Sequence, residues 1–599
     1  MLGRLVLVVV GLLLAAAATQ PLWLAPLLGR HLSSTSGRSV HFDSVRLGLT
    51  SSLAPVVHLH GVRIDNAPWA DTKEPFAALA DAVFVFAWRP FEGRHVVSSL
   101  LLRDGVVNLE LRADGLRNWR LTDPEDRGPG RYWFFSLEGH GATLAFIHHG
   151  IDLRFRAAAT DGPSAAIGSA AALPTRIDFD GEFRKVAFNG SVATGPVLTF
   201  METDRWFGLR GHAAVEGVDL DVDGRAADIF RATQIDANAT MAGRSLAVLR
   251  PFVGEQRYAE PRAFRVQGHL RSAAAHYALT DAQARIGATD LAGDVAWSRS
   301  GSRRAVRVHL KSGATDLADL LWLTGRPASS LPKTVSAAAS AASSSAEHDL
   351  FAAARDLDAD VAFEATRFHV AALHALQSLG VKADLAAGRL AVSDLDVGWA
   401  GGHSVGKLTL DLTQPLASAD ATLETRGVRI ESLIGAQEEK KRITGALRSR
   451  LALKASGNTA EALRASVSGT ATVALSGGTI SSLLDAELGL EGGKLVRTLI
   501  SGVDFLPLPC AAATLDLSAG KAHIRNLVID SANTLTTGSG TIDLRDAAID
   551  LVLTPQPKRP GLFELQRSIH LFGHLPKPQR ALVDRVEPVA ATACEATNS

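Results

Sequence analysis

A mostly β protein is predicted from this sequence: an N-terminal transmembrane helix followed by an elongated, curled antiparallel β-sheet groove with a few short helices. Three observations lead there. The first residues form an uncharged apolar run, the chain beyond residue 38 alternates apolar and polar residues with period two, and turn-forming residues separate the alternating stretches.

The apolar run comes first. Between Leu5 and Gly29 no residue is charged, and Leu5 to Ala18 is purely apolar, with Arg4 before it and Arg30 after. As a helix this stretch crosses a hydrocarbon layer of ~30 Å, with Trp23 at the far interface. Residues 1–30 are therefore expected to be a transmembrane signal-anchor that leaves the rest of the chain outside the cytoplasm. A cleaved signal peptide ending near Ala16 to Ala18 stays open, because Pro21 and Pro26 are expected to end the helix early.

Alternation is plainest in four segments. Val308 and Leu310 alternate with Arg307, His309 and Lys311, and Leu408, Leu410 and Leu412 alternate with Lys407, Thr409 and Asp411. In Ile443 to Lys454, Leu447, Leu451 and Leu453 oppose Arg448, Arg450 and Lys454. In Asp546 to Leu553, Ile549, Leu551 and Leu553 oppose Asp546 and Asp550. Each such strand has one apolar face and one wet face. Asp-Gly pairs at Asp104, Asp114, Asp161, Asp180 and Asp223 predict tight hairpin turns, and hence an antiparallel meander.

Helical spacing is local. Ile480 to Phe505 carries Leu483, Leu484, Leu488, Leu495, Val496, Leu499 and Ile500 around Gly492-Gly493, which reads as a helix pair. Short helices are expected at Ser245 to Val253, Asp316 to Leu323 and Ala371 to Leu379. From Ala328 to Ser345 the composition falls to Ala and Ser with Pro332, which reads as a disordered loop. The expected organisation is a β region over 31–160, a central β-groove over 161–327, the Ala/Ser-rich loop over 328–348, a second part of the groove over 349–475 and a C-terminal module over 476–599. About thirty strands at ~4.8 Å would extend on the order of 140 Å.

Composition narrows the function. Across 599 residues, 62 basic and 62 acidic side chains balance, so no global field attracts nucleic acid, and no nucleic-acid partner is expected. The two cysteines, Cys510 and Cys594, lack the spacing of a zinc or redox motif. In an exported chain they read as one disulfide, with two unpaired thiols as the alternative. Gly402-His403-Ser404-Val405-Gly406 fits the G-x-S-x-G pattern, and Gly401 to Lys407 nearly fits a phosphate-binding loop. Both demand a helix after the turn, whereas a strand pattern follows, so a hairpin turn is expected. His58 with His60, and His148 with His149, lack further ligands at metal spacing and read as surface or groove-edge histidines. No enzyme, cofactor or metal is expected.

Gly61-Val62-Arg63-Ile64-Asp65-Asn66-Ala67-Pro68-Trp69, the apolar stretch Ala82 to Trp88, and Asp114-Gly115-Leu116-Arg117-Asn118-Trp119 together resemble the N-terminal pattern of AsmA-family envelope proteins. The C-terminal pattern is similar as well: Cys510-Ala511-Ala512-Ala513, Lys521 to Asp530, Gly538 to Leu544, Leu551 to Lys558, Gly573-His574-Leu575-Pro576-Lys577-Pro578 and a late Cys594. The resemblance implies an inner-membrane, single-pass protein with its bulk in the periplasm, whose groove moves phospholipid between inner and outer membrane and supports outer-membrane integrity. Phospholipids, the inner membrane and further envelope proteins are the implied partners. A non-conducting scaffold assisting outer-membrane protein assembly is the alternative. Val308, Leu310, Leu408, Leu410, Leu412, Leu451, Leu453, Ile549, Leu551 and Leu553 are the candidate groove lining.

Overall fold

The computed structural model describes residues 19–20, 23–87, 95–120, 132–134, 136–161, 173, 175–194, 198–199, 206–227, 234–249, 262–273, 275–301, 303–323, 351–370, 376–432, 443–489, 504–558, 567–575, 578–587 and 594. These residues are mostly β. Strands of a mixed sheet dominate, and the helices are few and short. Contacts divide the chain into two compact units, Met1–Thr280 and Asp281–Ser599.

The expected anchor Leu5 to Ala18 lies outside the described residues. Among the described residues no helix is long and apolar enough to cross a membrane. The helical segment 23–36 continues through Pro26, contrary to the expectation that proline ends it. Leu24, Ala25 and Leu28 pack against Val40, Phe42, Val45 and Val62, which offsets the proline's missing amide hydrogen bond and its ring's crowding of the preceding turn.

In the first unit, strands Pro55–Ile64, Ala77–Phe86 and His95–Leu111 pair antiparallel in sequence order. His95–Leu111 then pairs in parallel with Ser136–His148, Leu100 facing Leu137 and Leu111 facing His148. Antiparallel order resumes through Leu153–Asp161, Thr175–Phe183, Val186–Thr194, Phe207–Val215, Val218–Ala227, Gln234–Gly243 and Phe264–Ala273. The purely antiparallel expectation is therefore corrected to a mixed sheet.

The Asp-Gly expectation also needs correction. Asp114-Gly115 does turn, closed by the Leu116 carbonyl accepting from the Arg112 amide. Asp104, Asp180 and Asp223 instead lie within strands. Their glycines make room rather than turns. A Cβ on Gly181 would meet the Phe188 ring at 2.5 Å, and one on Gly190 would meet the Phe179 ring at 2.5 Å. Phe155, Phe179 and Phe188 thus pack across glycines of neighbouring strands, a pairing that shields strand glycines. The observed tight turns sit at Glu216-Gly217, Ala387-Gly388, Ala400-Gly401, Ala519-Gly520 and Arg184-Lys185, each with two successive positive φ values.

In the second unit, Thr289–Ser300 pairs antiparallel with Arg303–Ser312. Arg303–Ser312 pairs in parallel with Leu357–Ala365. Antiparallel pairing then runs through Leu376–Ala386, Arg389–Trp399, Gly402–Asp411, Ser418–Arg429, Ala446–Ser456, Ser468–Ser481, Phe505–Ser518, Lys521–Asp530, Thr534–Asp543, Ala548–Pro557, Arg567–His574 and Gln579–Asp584. All four strongly alternating segments fall largely in strands, as expected. Helix α1 covers Leu317–Leu323, α2 Ala460–Ser466 and α3 Ser482–Gly489. The predicted second helix through Leu495 and Ile500 lies outside the described residues, as does the loop Ala328 to Ser345. Within the expected helix Ser245 to Val253, Leu246–Leu249 forms a 3-10 turn, and residues 250–253 lie outside the described residues. Of the expected helix Ala371 to Leu379, residues 371–375 are undescribed and Leu376 to Leu379 belong to a strand. There the side chains alternate between faces and Leu379 pairs with Ala365, so sheet pairing overrides a helix-compatible spacing.

Cys510 and Cys594 form a disulfide with their Cα atoms 6.1 Å apart. It ties residue 594 to the cluster of Ala474, Ala512 and Val528.

Candidate functional site

Period-two geometry sends alternate side chains to one face, and register decides which of them align from strand to strand. In the second unit the partners line up as one row: Gly293, Leu310, Phe363, Val381, Leu395, Gly406, Leu423, Leu451, Ala471, Leu515, Ile524, Gly540, Leu551 and Leu571. Every member is apolar or glycine. A second row on the same face passes through Val308, Val361, Ala383, Val392, Leu408, Ala421 and Leu453 and continues to Leu517, Ala522, Ile542 and Ile549. The two rows make an apolar lane from strand Thr289–Ser300 to strand Arg567–His574.

The opposite face is ionic. Arg307 and His309 reach Asp360 at 3.1 and 3.0 Å, Lys382 reaches Asp394 at 3.2 Å, and His403 reaches Asp396 at 3.2 Å. Arg450 lies 3.4 Å from Glu424, Lys454 3.3 Å from Asp420, and His570 2.9 Å from Asp550. The His309 hydrogen bond, then that of Arg307, holds the Asp360 carboxyl below the usual carboxylate range; Arg426 and then Arg450 do the same for Glu424.

The ten candidate lining residues separate into two groups. Val308, Leu310, Leu408, Leu451, Leu453 and Ile549 are half-buried members of the lane. Leu410, Leu412, Leu551 and Leu553 are buried in clusters: Leu410 and Leu412 with Ala417, Leu390 and Phe351, and Leu551 and Leu553 with Ile524 and Ile569. A cavity of about 650 Å³ opens beside Leu390, Leu410, Ala419 and Ala455, with Arg389, Asp411, Asp420 and Lys454 also in its wall. Its size suits a small-molecule or chain-like ligand.

Ser404 has no place in a nucleophile turn. It lies within strand Gly402–Asp411, 3% exposed, taking a hydrogen bond from Trp399 Nε1 at 2.7 Å and sharing one with the Thr425 hydroxyl at 2.8 Å. The tight turn expected over this motif occurs just before it, at Ala400-Gly401.

The first unit holds a different arrangement, around Asn118. Its side-chain carbonyl accepts from the Glu110 amide at 2.7 Å, and its amide donates to Asn66 Oδ1 at 3.0 Å and to the Asn108 carbonyl at 2.8 Å. Asn66 and Asn118 belong to the two N-terminal stretches on which the family resemblance rests, so this network gives those stretches a physical role. Beside it, Asp71, Glu110 and His149 converge, a grouping that no local spacing announces.

Comparison with known proteins agrees with the resemblance. Residues 256–527 match the family model described as the AsmA family. Over that stretch the chain is similar to the AsmA family. A curated relative, the AsmA family protein YhjG of Escherichia coli (strain K12), is 25% identical over 223 residues, covering 37% of this chain and 32% of the relative. The match thus spans about a third of that relative's length. No solved structure matches. This similarity supports an envelope-related function for the chain.

Proposed function

We propose that the protein is anchored in the inner membrane, extends into the periplasm, and carries phospholipid acyl chains along the apolar lane of its second unit between inner and outer membrane. The unbroken apolar row from Gly293 to Leu571 is the observation that carries this reading. Burial of acyl chains there is favoured by roughly 0.8 kcal/mol per CH₂, and near-equivalent aliphatic surfaces give small barriers to sliding. The cavity beside Leu390 and Leu410, apolar in one row and charged at Arg389 and Lys454, fits an amphiphile whose headgroup stays wet. The Cys510–Cys594 bridge suits an oxidising compartment such as the periplasm.

The test is phospholipid measured by mass spectrometry on purified full-length protein, in variants of adjacent residues on opposite faces. Leu451→Asp is expected to leave accumulation near normal and to deplete bound lipid; Ala452→Asp, on the exposed face, is expected to change neither. Undiminished lipid in stably accumulated Leu451→Asp overturns the reading. Absence of lipid from the unaltered protein, with outer-membrane proteins co-purifying instead, favours a scaffold.

A further inference from the structure

Three residues of the first unit that are widely separated in sequence meet at one point. Glu110 stands near the end of strand His95–Leu111, Asp71 lies in the turn before strand Ala77–Phe86, and His149 opens the 3-10 turn His149–Ile151. His149 Nε2 is 2.8 Å from Glu110 Oε1 and 3.7 Å from Asp71 Oδ2. One potential ligand atom from each residue lies within 4.8 Å of the other two.

Glu110 is the unusual member. Its side chain is 1% exposed, against 28% for His149 and 75% for Asp71. Oε1 accepts from the Asp71 amide at 3.0 Å and from His149, while Oε2 is buried with no hydrogen-bond partner among the described residues. A carboxyl oxygen kept from water without a partner is costly, and a cation bound at this point answers it. The neighbouring amides are already engaged: Asn118 with Asn66 and the Asn108 carbonyl, and Asn108 with the Pro75 carbonyl at 2.8 Å.

We infer that Asp71, Glu110 and His149 bind a divalent transition-metal cation of the zinc class. One imidazole nitrogen with two carboxylates suits such an ion, whereas calcium and magnesium take oxygen ligands. A charge of +2 offsets both carboxylates. Metal–ligand bonds of about 2.0–2.2 Å require ligand atoms roughly 3.3 Å apart, so the 2.8 Å contact must open and Asp71 must close in, a movement its exposure permits. In the metal-bound state the imidazole of His149 is neutral with its proton on Nδ1, so that the lone pair of Nε2, the nitrogen turned toward Glu110 here, coordinates the cation. A fourth position, on the exposed Asp71 side, is left to water. His212, 2.8 Å from Asp221, lies in the open and has no buried carboxylate beside it.

The full chain, stripped with chelator, is titrated with Zn²⁺ against a chromophoric competitor and with Co²⁺ by visible absorption. One tight Zn²⁺ equivalent per chain and cobalt bands of a low-coordinate N/O site are expected. His149→Ala and Asp71→Asn should each weaken Zn²⁺ affinity by about tenfold or more, and His212→Ala should leave it unchanged. Zn²⁺ should raise the melting temperature of the unaltered chain and not that of His149→Ala. Should Glu110→Gln fail to fold, the two exposed variants still decide. No saturable binding, or an affinity in both of them equal to that of the unaltered chain, overturns the site.

Discussion

The network around Asn118 in the first unit and the apolar lane of the second are both built on strand pairing, but they use side chains in opposite ways. In the first, each side chain has particular partners: Asn118, fully buried, holds the Glu110 amide, the Asn108 carbonyl and the Asn66 side chain. In the second, Val, Leu, Ile, Ala and Gly follow one another along a row in which face matters and identity matters little. Directional bonds specify residues; apolar burial specifies only side, volume and period.

The largest stability change is expected at the one covalent tie. Cys510→Ser removes a bridge between residues separated by 84 positions, worth about 4.5 kcal/mol in the loop-entropy account, and should lower the denaturant midpoint of the second unit while leaving the first unchanged. Next comes Asn118→Ala. It leaves three polar partners unanswered in a buried setting, for a loss on the order of 4 kcal/mol in the first unit, measured by chemical unfolding. A loss below about 1 kcal/mol would remove the contrast between the two regions.

Within the second unit, Leu551→Ala, in the buried cluster with Ile524 and Ile569, should cost about 3 kcal/mol. Leu451→Ala in the half-buried lane should cost about 1 kcal/mol, and Leu451→Ile less still. Both residues stand in the lane's first row, so equal losses would mean that its half-buried stretch at Leu451 is packed as tightly as its buried end at Leu551. The smallest effect concerns acid. Asp290 is held below the usual carboxylate range, first by the Ala314 amide and then by the Ser312 hydroxyl and Gly313 amide. A depressed folded value gives stability that is present above about pH 3.9 and lost as pH falls through the folded value, so Asp290→Asn should flatten part of the acid limb of a melting-temperature profile below pH 4.

Much of the second unit was legible because alternation is a local signal. Arg307 to Lys311 and Lys407 to Asp411 announce their own wet and apolar faces. The turns were legible only in part. Asp180-Gly181 carries a hairpin signature, yet Gly181 serves the Phe188 ring of the next strand, whereas Ala387-Gly388 carries no strong signature and turns. The difference lies in what sits on the adjacent strand, which composition cannot give. Parallel pairing of Arg303–Ser312 with Leu357–Ala365 was hidden by the long stretch between them. Buried and half-buried leucines looked alike, because Leu410 and Leu408 share a period and differ only in whether Phe351 and Leu412 pack nearby. Asp71, Glu110 and His149 were illegible as a group, since three separate elements bring them together.

That parallel join has a consequence for how such a chain changes length. Leu310 meets Phe363 and Val308 meets Val361, so the chain leaves after Ser312 and returns at Leu357 with inward positions still facing inward positions. The sheet conserves parity there, not distance. Residues added or removed in the excursion leave that parity untouched, and the entropic cost of closing it grows only with the logarithm of its length. A single residue inserted within a strand, by contrast, inverts every side chain beyond it until a bulge restores the phase.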